Sequence, residues 1–115
     1  MRRLKKGKDM SDNAAIPVRD NRANNRLEIE QDGQVAFAQY ILAPDHIFFT
    51  HTEVPEALGG RGLGTRLVEA GLTSARERGL SVIPRCSMFG RYMMKRPETH
   101  DLMAPEIRAT LGLPV

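Results

Sequence analysis

The spacing of apolar positions changes period along the chain. Arg26-Leu27-Glu28-Ile29-Glu30-Gln31 alternates polar and apolar, the pattern of a half-buried strand. Asp32-Gly33 comes next, a pair that accepts positive φ and so predicts a tight hairpin turn. Gln34 to Leu42 returns as a longer strand, Ala43-Pro44-Asp45 is a turn, and His46 to Val54 is a third strand rich in Phe and Thr. Strands in succession with short connections predict an antiparallel meander. After a cluster of glycines the period becomes helical. Leu63, Leu67, Val68, Gly71, Leu72 and Ala75 share one face at roughly 3.6-residue spacing, with Arg66, Glu69, Arg76 and Glu77 mostly elsewhere. The spacing predicts a helix from Leu63 to Arg78, about 24 Å long by rise, ended by Gly79. Gly71 inside it points to close approach of the helix to the sheet. Leu80 to Pro84 reads as a short buried strand, parallel to the third through a βαβ crossover. Ser87 or its neighbour caps a second helix, Met88 to about Lys95, closed by Pro97. Asp101-Leu102-Met103 and Pro105 to Leu111 suggest a last short helix. The fold class is α/β, in the α+β sense: a mixed, mostly antiparallel sheet with one βαβ unit.

Residues 1–25 are rich in charge, Asn, Asp and Ala. They read as a flexible basic tail, with a short edge strand near Ile16–Val18, ahead of a domain over 26–115. A chain of 115 residues with 41% apolar content suits one globular core. Five cations and one acid within residues 1–9 exceed the net charge of +3, so the remainder carries −1. The basic character belongs to the tail, which reads either as a solubilising leader or as a contact to nucleic acid or a membrane surface. The former is expected, because Phe37, Tyr40, Phe48, Phe49, Phe89 and Tyr92 are read as mostly buried and offer no stacking platform. A single cysteine, Cys86, excludes an internal disulfide framework. There is neither a long apolar run nor a secretory leader pattern, so a reducing, cytoplasmic setting without a membrane span is expected. The three histidines are scattered and show no metal-ligand spacing.

The candidate chemistry centres on Glu56-Ala57-Leu58-Gly59-Gly60-Arg61-Gly62-Leu63-Gly64-Thr65-Arg66-Leu67. A strand enters it and a helix leaves it. Glycines let a ligand approach the backbone, and the helix start offers unpaired N–H groups and a positive dipole end. The order strand, glycine turn, helix makes a cradle for a phosphate or diphosphate. It is not a Walker loop, because Thr65 stands where the lysine is required. It is not the dinucleotide fingerprint either, because the third glycine place holds Leu67.

Gly62 and Gly64 in this loop, His51-Thr52-Glu53-Val54-Pro55 before it, and Pro84-Arg85-Cys86 and Tyr92 after it resemble a small single-domain subfamily of the GCN5-related N-acetyltransferases. The resemblance spans about Leu27 to Leu102. Gly59 departs from it at a place where the family has Arg or Gln, and Arg96 and Thr99 depart further on. Full-length members set two helices between their first two strands; here Asp32-Gly33 joins the corresponding strands directly. The resemblance implies a shortened version of that fold, binding acetyl-CoA, with an unidentified amine or thiol as acceptor and a monomer or weak dimer as the assembly. The loop N–H groups of Arg61, Gly62, Leu63, Gly64 and Thr65, with Val54 beside them, would hold the CoA diphosphate. Family precedent places the pantetheine arm between the ends of the third strand and the Leu80 strand, which sets Cys86 near the thioester. Cys86 is either a nucleophile that takes the acetyl group or a small buried hydrophobe. His51 and Glu53 share a strand face by period two, and either is a candidate base. Tyr92 is similar to the family's general acid, with packing as its alternative role. A CoA-binding module without efficient turnover is the competing reading of the whole.

Overall fold

The structure, a computed structural model, describes residues 16–113. Of the tail expected over residues 1–25, residues 1–15 lie outside them. The elements in order are β1 (Arg19–Asn21), β2 (Arg26–Gln31), β3 (Gln34–Leu42), β4 (His46–Glu53), α1 (Leu63–Arg78), β5 (Ser81–Pro84), α2 (Ser87–Met94) and α3 (Pro105–Thr110). Short 3-10 turns occupy Glu56–Leu58 and Pro97–Leu102. The sheet runs β1-β2-β3-β4-β5, antiparallel up to β4 and parallel between β4 and β5.

Asp32 and Gly33 join β2 to β3 with φ of 53° and 75°. That turn has the twist of the flanking strands, so it holds the pairing in register. Alternation then sends Leu27, Ile29, Ala36, Ala38 and Tyr40 to one buried face. Helix α1 lies on that face, and its stripe of Leu63, Leu67, Val68, Leu72 and Ala75 is buried with them. Each of the larger side chains contributes roughly 1.5–3 kcal/mol by leaving water. Phe49 of β4 and Phe89 of α2 stack with ring centroids 4.0 Å apart. Gly71 sits directly over them: a Cβ there would stand 2.9 Å from Phe49 and 3.0 Å from Phe89. The helix gives up propensity at this position to pass close over the two rings.

The edge strand lies at Arg19–Asn21, not at Ile16–Val18, so the first element of the fold falls inside the stretch expected as tail. Polar groups hold it. Tyr40 donates its hydroxyl to Asp20 at 2.7 Å, and Arg78, in the last turn of α1, donates to the same carboxylate at 2.9 Å. Glu28, only 4% exposed, is flanked by Arg19 at 2.7 Å and Arg26 at 2.8 Å and also accepts from Asn21. The Arg19 hydrogen bond, with smaller help from Asn21 and Arg26, holds this carboxyl below its ordinary range against the opposing effect of burial.

Strand β4 carries an irregularity that determines the site. Tyr40 pairs with Phe49 and Gln39 pairs with His51, so Thr50 is an extra residue in the ladder, a β-bulge. Its hydroxyl donates to the Gln39 carbonyl at 3.4 Å. The bulge reverses the facing of the residues beyond it. Ile47 and Phe49 are buried under α1, whereas His51 and Glu53 are exposed and Thr52 takes the helix side.

Candidate functional site

Helix α1 begins without a cap. Gly62, at the N-cap position, holds φ 75° and ψ 16°, a left-handed conformation that L side chains rarely take. It offers no side-chain cap, and the first turn contains no acidic residue. The first helical hydrogen bond runs from Arg66 N–H to the Gly62 carbonyl at 3.1 Å. The N–H groups of Leu63, Gly64 and Thr65 therefore stand outside the helix ladder at the positive end of a helix of 16 residues. They open on a cleft of about 330 Å³ bounded by the glycine loop, Val54, Leu58 and Met88. At Gly64 the walls are tight, since a Cβ there would lie 2.8 Å from Met88 Sδ and 3.7 Å from Val54. Arg61, also in the cleft lining, bonds Asp32 of the β2–β3 turn at 2.8 Å and so braces the loop against the hairpin.

Strands β4 and β5 pair only from His46/Ser81 to Phe49/Pro84. The last main-chain link is Cys86 N–H to the Phe49 carbonyl at 2.9 Å, after which α2 leads away. In the opening between the strands the Cys86 thiol donates to Thr52 Oγ1 at 3.3 Å. Cys86 is half-buried and holds the N-cap position of α2, the neighbour of Ser87, without a side-chain cap bond.

The remaining candidates lie apart from this opening. His51 Nε2 and Glu53 Oε1 are 3.1 Å from each other, with side chains 56% and 60% exposed. They stand on the sheet face opposite to Thr52, beside Phe37, whose ring meets His51 edge-on and lies under Arg26. Tyr92 is six residues beyond Cys86 and turned toward α1, where its hydroxyl donates to Glu69 at 3.1 Å. Burial, then the bond to Glu69 and its charge, raise the Tyr92 phenol above its ordinary 10.0, so it holds its proton more tightly than a free phenol. The structure thus brings Val54 and the glycine loop together, sets Cys86 with Thr52, and holds His51/Glu53 and Tyr92 as separate groups. Sequence reasoning missed Thr52 and Met88 as site walls. Met88 lies two residues from Cys86, a spacing that does not share a helix face, and nothing in the β4 sequence marks the bulge that turns Thr52 inward.

Residues 26–102 match the family described as GCN5-related N-acetyl-transferase. The chain belongs to the GCN5-related N-acetyltransferases, a family of acyl transfer enzymes. Its mixed sheet is also that of a solved relative, the NMR structure of a "GCN5-like putative N-acetyltransferase" from Staphylococcus aureus. That relative is 27% identical, superposes with a TM-score of 0.62, and is matched over 77% of this chain and 88% of its own. No curated protein matches. No helix among the described residues is long and apolar enough to cross a membrane.

Proposed function

We propose that the chain binds acetyl-CoA through its glycine loop and passes the acetyl group to an amine or thiol acceptor. The uncapped start of α1 carries this reading. It combines a left-handed Gly62, the N–H groups of Leu63, Gly64 and Thr65 outside the ladder, and no competing acid in the first turn. Hydrogen bonds from such amides to a charged oxygen contribute roughly 1.5–3 kcal/mol each, and the helix dipole about 0.3–2 kcal/mol more. Acetyl-CoA supplies an activated acyl thioester when bound. The chain's part is to hold the diphosphate at the loop and to line the way past Val54 and Met88 to the opening between β4 and β5. Cys86 is the chain's own thiol at that opening, with Thr52 fixing its direction. His51 and Glu53 serve as proton acceptors for an acceptor arriving on the other sheet face, and Tyr92 supplies a retained phenol proton from the α1 side.

Gly62→Val forces a branched side chain into a left-handed backbone at the cradle, so it should abolish acetyl-CoA binding in calorimetry. Retention of wild-type affinity by a folded Gly62→Val would refute the reading. Mass spectrometry after incubation with acetyl-CoA tests Cys86 as a carrier, through a single acetyl adduct that is absent in Cys86→Ala.

A binding module without efficient turnover is the second reading. The observation behind it is the bare outer sheet face: among the described residues no helix precedes Glu56, and His51 and Glu53 lie open. Thiol release no faster than in buffer, with tight acetyl-CoA binding, selects the module.

A further inference from the structure

The cradle continues into a second depression. Between α1 and α2 lies a groove of about 240 Å³ whose walls include Thr65, Met88, Arg91, Tyr92, Lys95 and Arg96. Thr65 and Met88 also bound the cleft at the glycine loop, so the two depressions share a wall. The chemistry of the two parts differs. The loop offers main-chain amides and no lysine, whereas the groove concentrates three cations. None of the three forms an ion pair among the described residues. Arg91 and Lys95 are exposed, and Arg96 lies over the Tyr92 ring at 4.4 Å, which fixes its direction along the groove. On the far side of Tyr92, Glu69 is engaged by the phenol hydroxyl.

A phosphomonoester carries close to two negative charges at neutral pH and needs positive side chains more than amides. CoA carries one such group, the 3′-phosphate, joined to its diphosphate through a single ribose. We infer that the groove between α1 and α2 receives the 3′-phosphate of CoA and makes the site select CoA over dephospho-CoA. This rests on the glycine loop holding the diphosphate. The competing role for Arg91 and Lys95 is to complement the C-terminal end of the α2 dipole, which would act on stability and not on selection.

Calorimetry of the full chain with CoA and with dephospho-CoA separates these. The expected preference for CoA is about ten-fold, the effect of roughly one charged hydrogen bond, and it should shrink as salt is raised. In Arg91→Gln/Lys95→Gln the preference should disappear while dephospho-CoA binds as before. Equal affinities in the unmodified chain would overturn the groove assignment and leave the cradle standing. A preference that survives the double substitution, with both affinities and the melting midpoint falling together, would overturn it in favour of the helix-end role. Binding of neither ligand to the unmodified chain would remove the cradle and the groove together.

Discussion

Cys86 Sγ and Thr52 Oγ1 lie 3.3 Å apart, the thiol donating to the hydroxyl across the gap where β4 and β5 separate. Thr52 and Cys86 each stand two residues before a wall of the cleft at the glycine loop, Val54 and Met88 respectively. Occupation of the site by acetyl-CoA should therefore shield the thiol. At ligand ten times above Kd, alkylation of Cys86 should slow about ten-fold by mass action. Gly62→Val should show no protection. An alkylation rate indifferent to acetyl-CoA in the unmodified chain would separate the thiol from the cofactor path.

His51 and Glu53 face away from that gap. His51→Ala and Glu53→Gln should leave the affinity for acetyl-CoA within about two-fold, because neither touches the cleft and exposed pairs contribute at most about 1 kcal/mol to the fold. Transfer to an added amine should fall in one or both. Calorimetry paired with a thiol-release assay reads both quantities. A large loss of acetyl-CoA affinity would place these side chains on the cofactor side.

Met88 closes on Gly64. Gly64→Ala should weaken acetyl-CoA binding, since its Cβ would meet Met88 Sδ at 2.8 Å beside the amides that do the holding. The methionine end is flexible, so the fold should lose no more than about 1–3 kcal/mol. Met88→Ala added to Gly64→Ala should restore much of the binding. A double substitution that merely adds the two losses would show that Met88 is not the obstacle.

Gly71→Ala tests packing against propensity. Alanine gains up to about 1 kcal/mol as a helix residue. It also pushes a Cβ to 2.9 Å from Phe49, whose ring is stacked on Phe89 and has no flexible end to withdraw. Overpacking costs roughly 1–3 kcal/mol, so the net effect should be destabilising, read as a lower urea midpoint with unchanged slope. A raised midpoint would mean that the rings yield.

Glu28 gives the fold an acid-sensitive element. Its folded carboxyl titrates below the ordinary 4.5, chiefly through the hydrogen bond from Arg19. The stabilisation is therefore complete above pH 4.5 and is lost as pH falls through the lower folded value. Glu28→Gln should reduce stability at neutral pH and flatten its decline below about pH 4.5, measured as denaturation midpoints across that range. An unchanged acid limb in Glu28→Gln would assign the loss to other carboxylates, with Asp101, held low first by Arg76, as the next to test.

The meander and α1 are legible in the sequence because burial there obeys alternation and helical spacing without interruption. Arg26–Gln31, Gln34–Leu42 and Leu63–Arg78 begin and end where the pattern predicts. The edge strand is displaced from its predicted place because Asp20 and Arg19 hold it through hydrogen bonds to Tyr40, Arg78 and Glu28, and such pairings leave no mark in hydrophobic spacing. Pro97 reads as a stop and α2 does end ahead of it at Met94; Pro97 also opens a 3-10 turn, a place where the missing N–H costs nothing. At the site the glycine loop is legible from composition, because only glycine suits a left-handed N-cap and a wall as close as Met88. The separation of Cys86 from His51 and Glu53 is not, since it depends on one residue of register.

That residue is Thr50. Everything downstream of it on β4 is assigned to one side of the sheet or the other by its presence. Removing Thr50 would exchange the two sides, turning His51 and Glu53 under α1 and Thr52 out to solvent, without altering any of the proposed site residues. The separation of Thr52 from His51 and Glu53 is thus encoded as a count along the strand, and in the proposed reaction a one-residue deletion there would scramble the two sides more thoroughly than any single substitution.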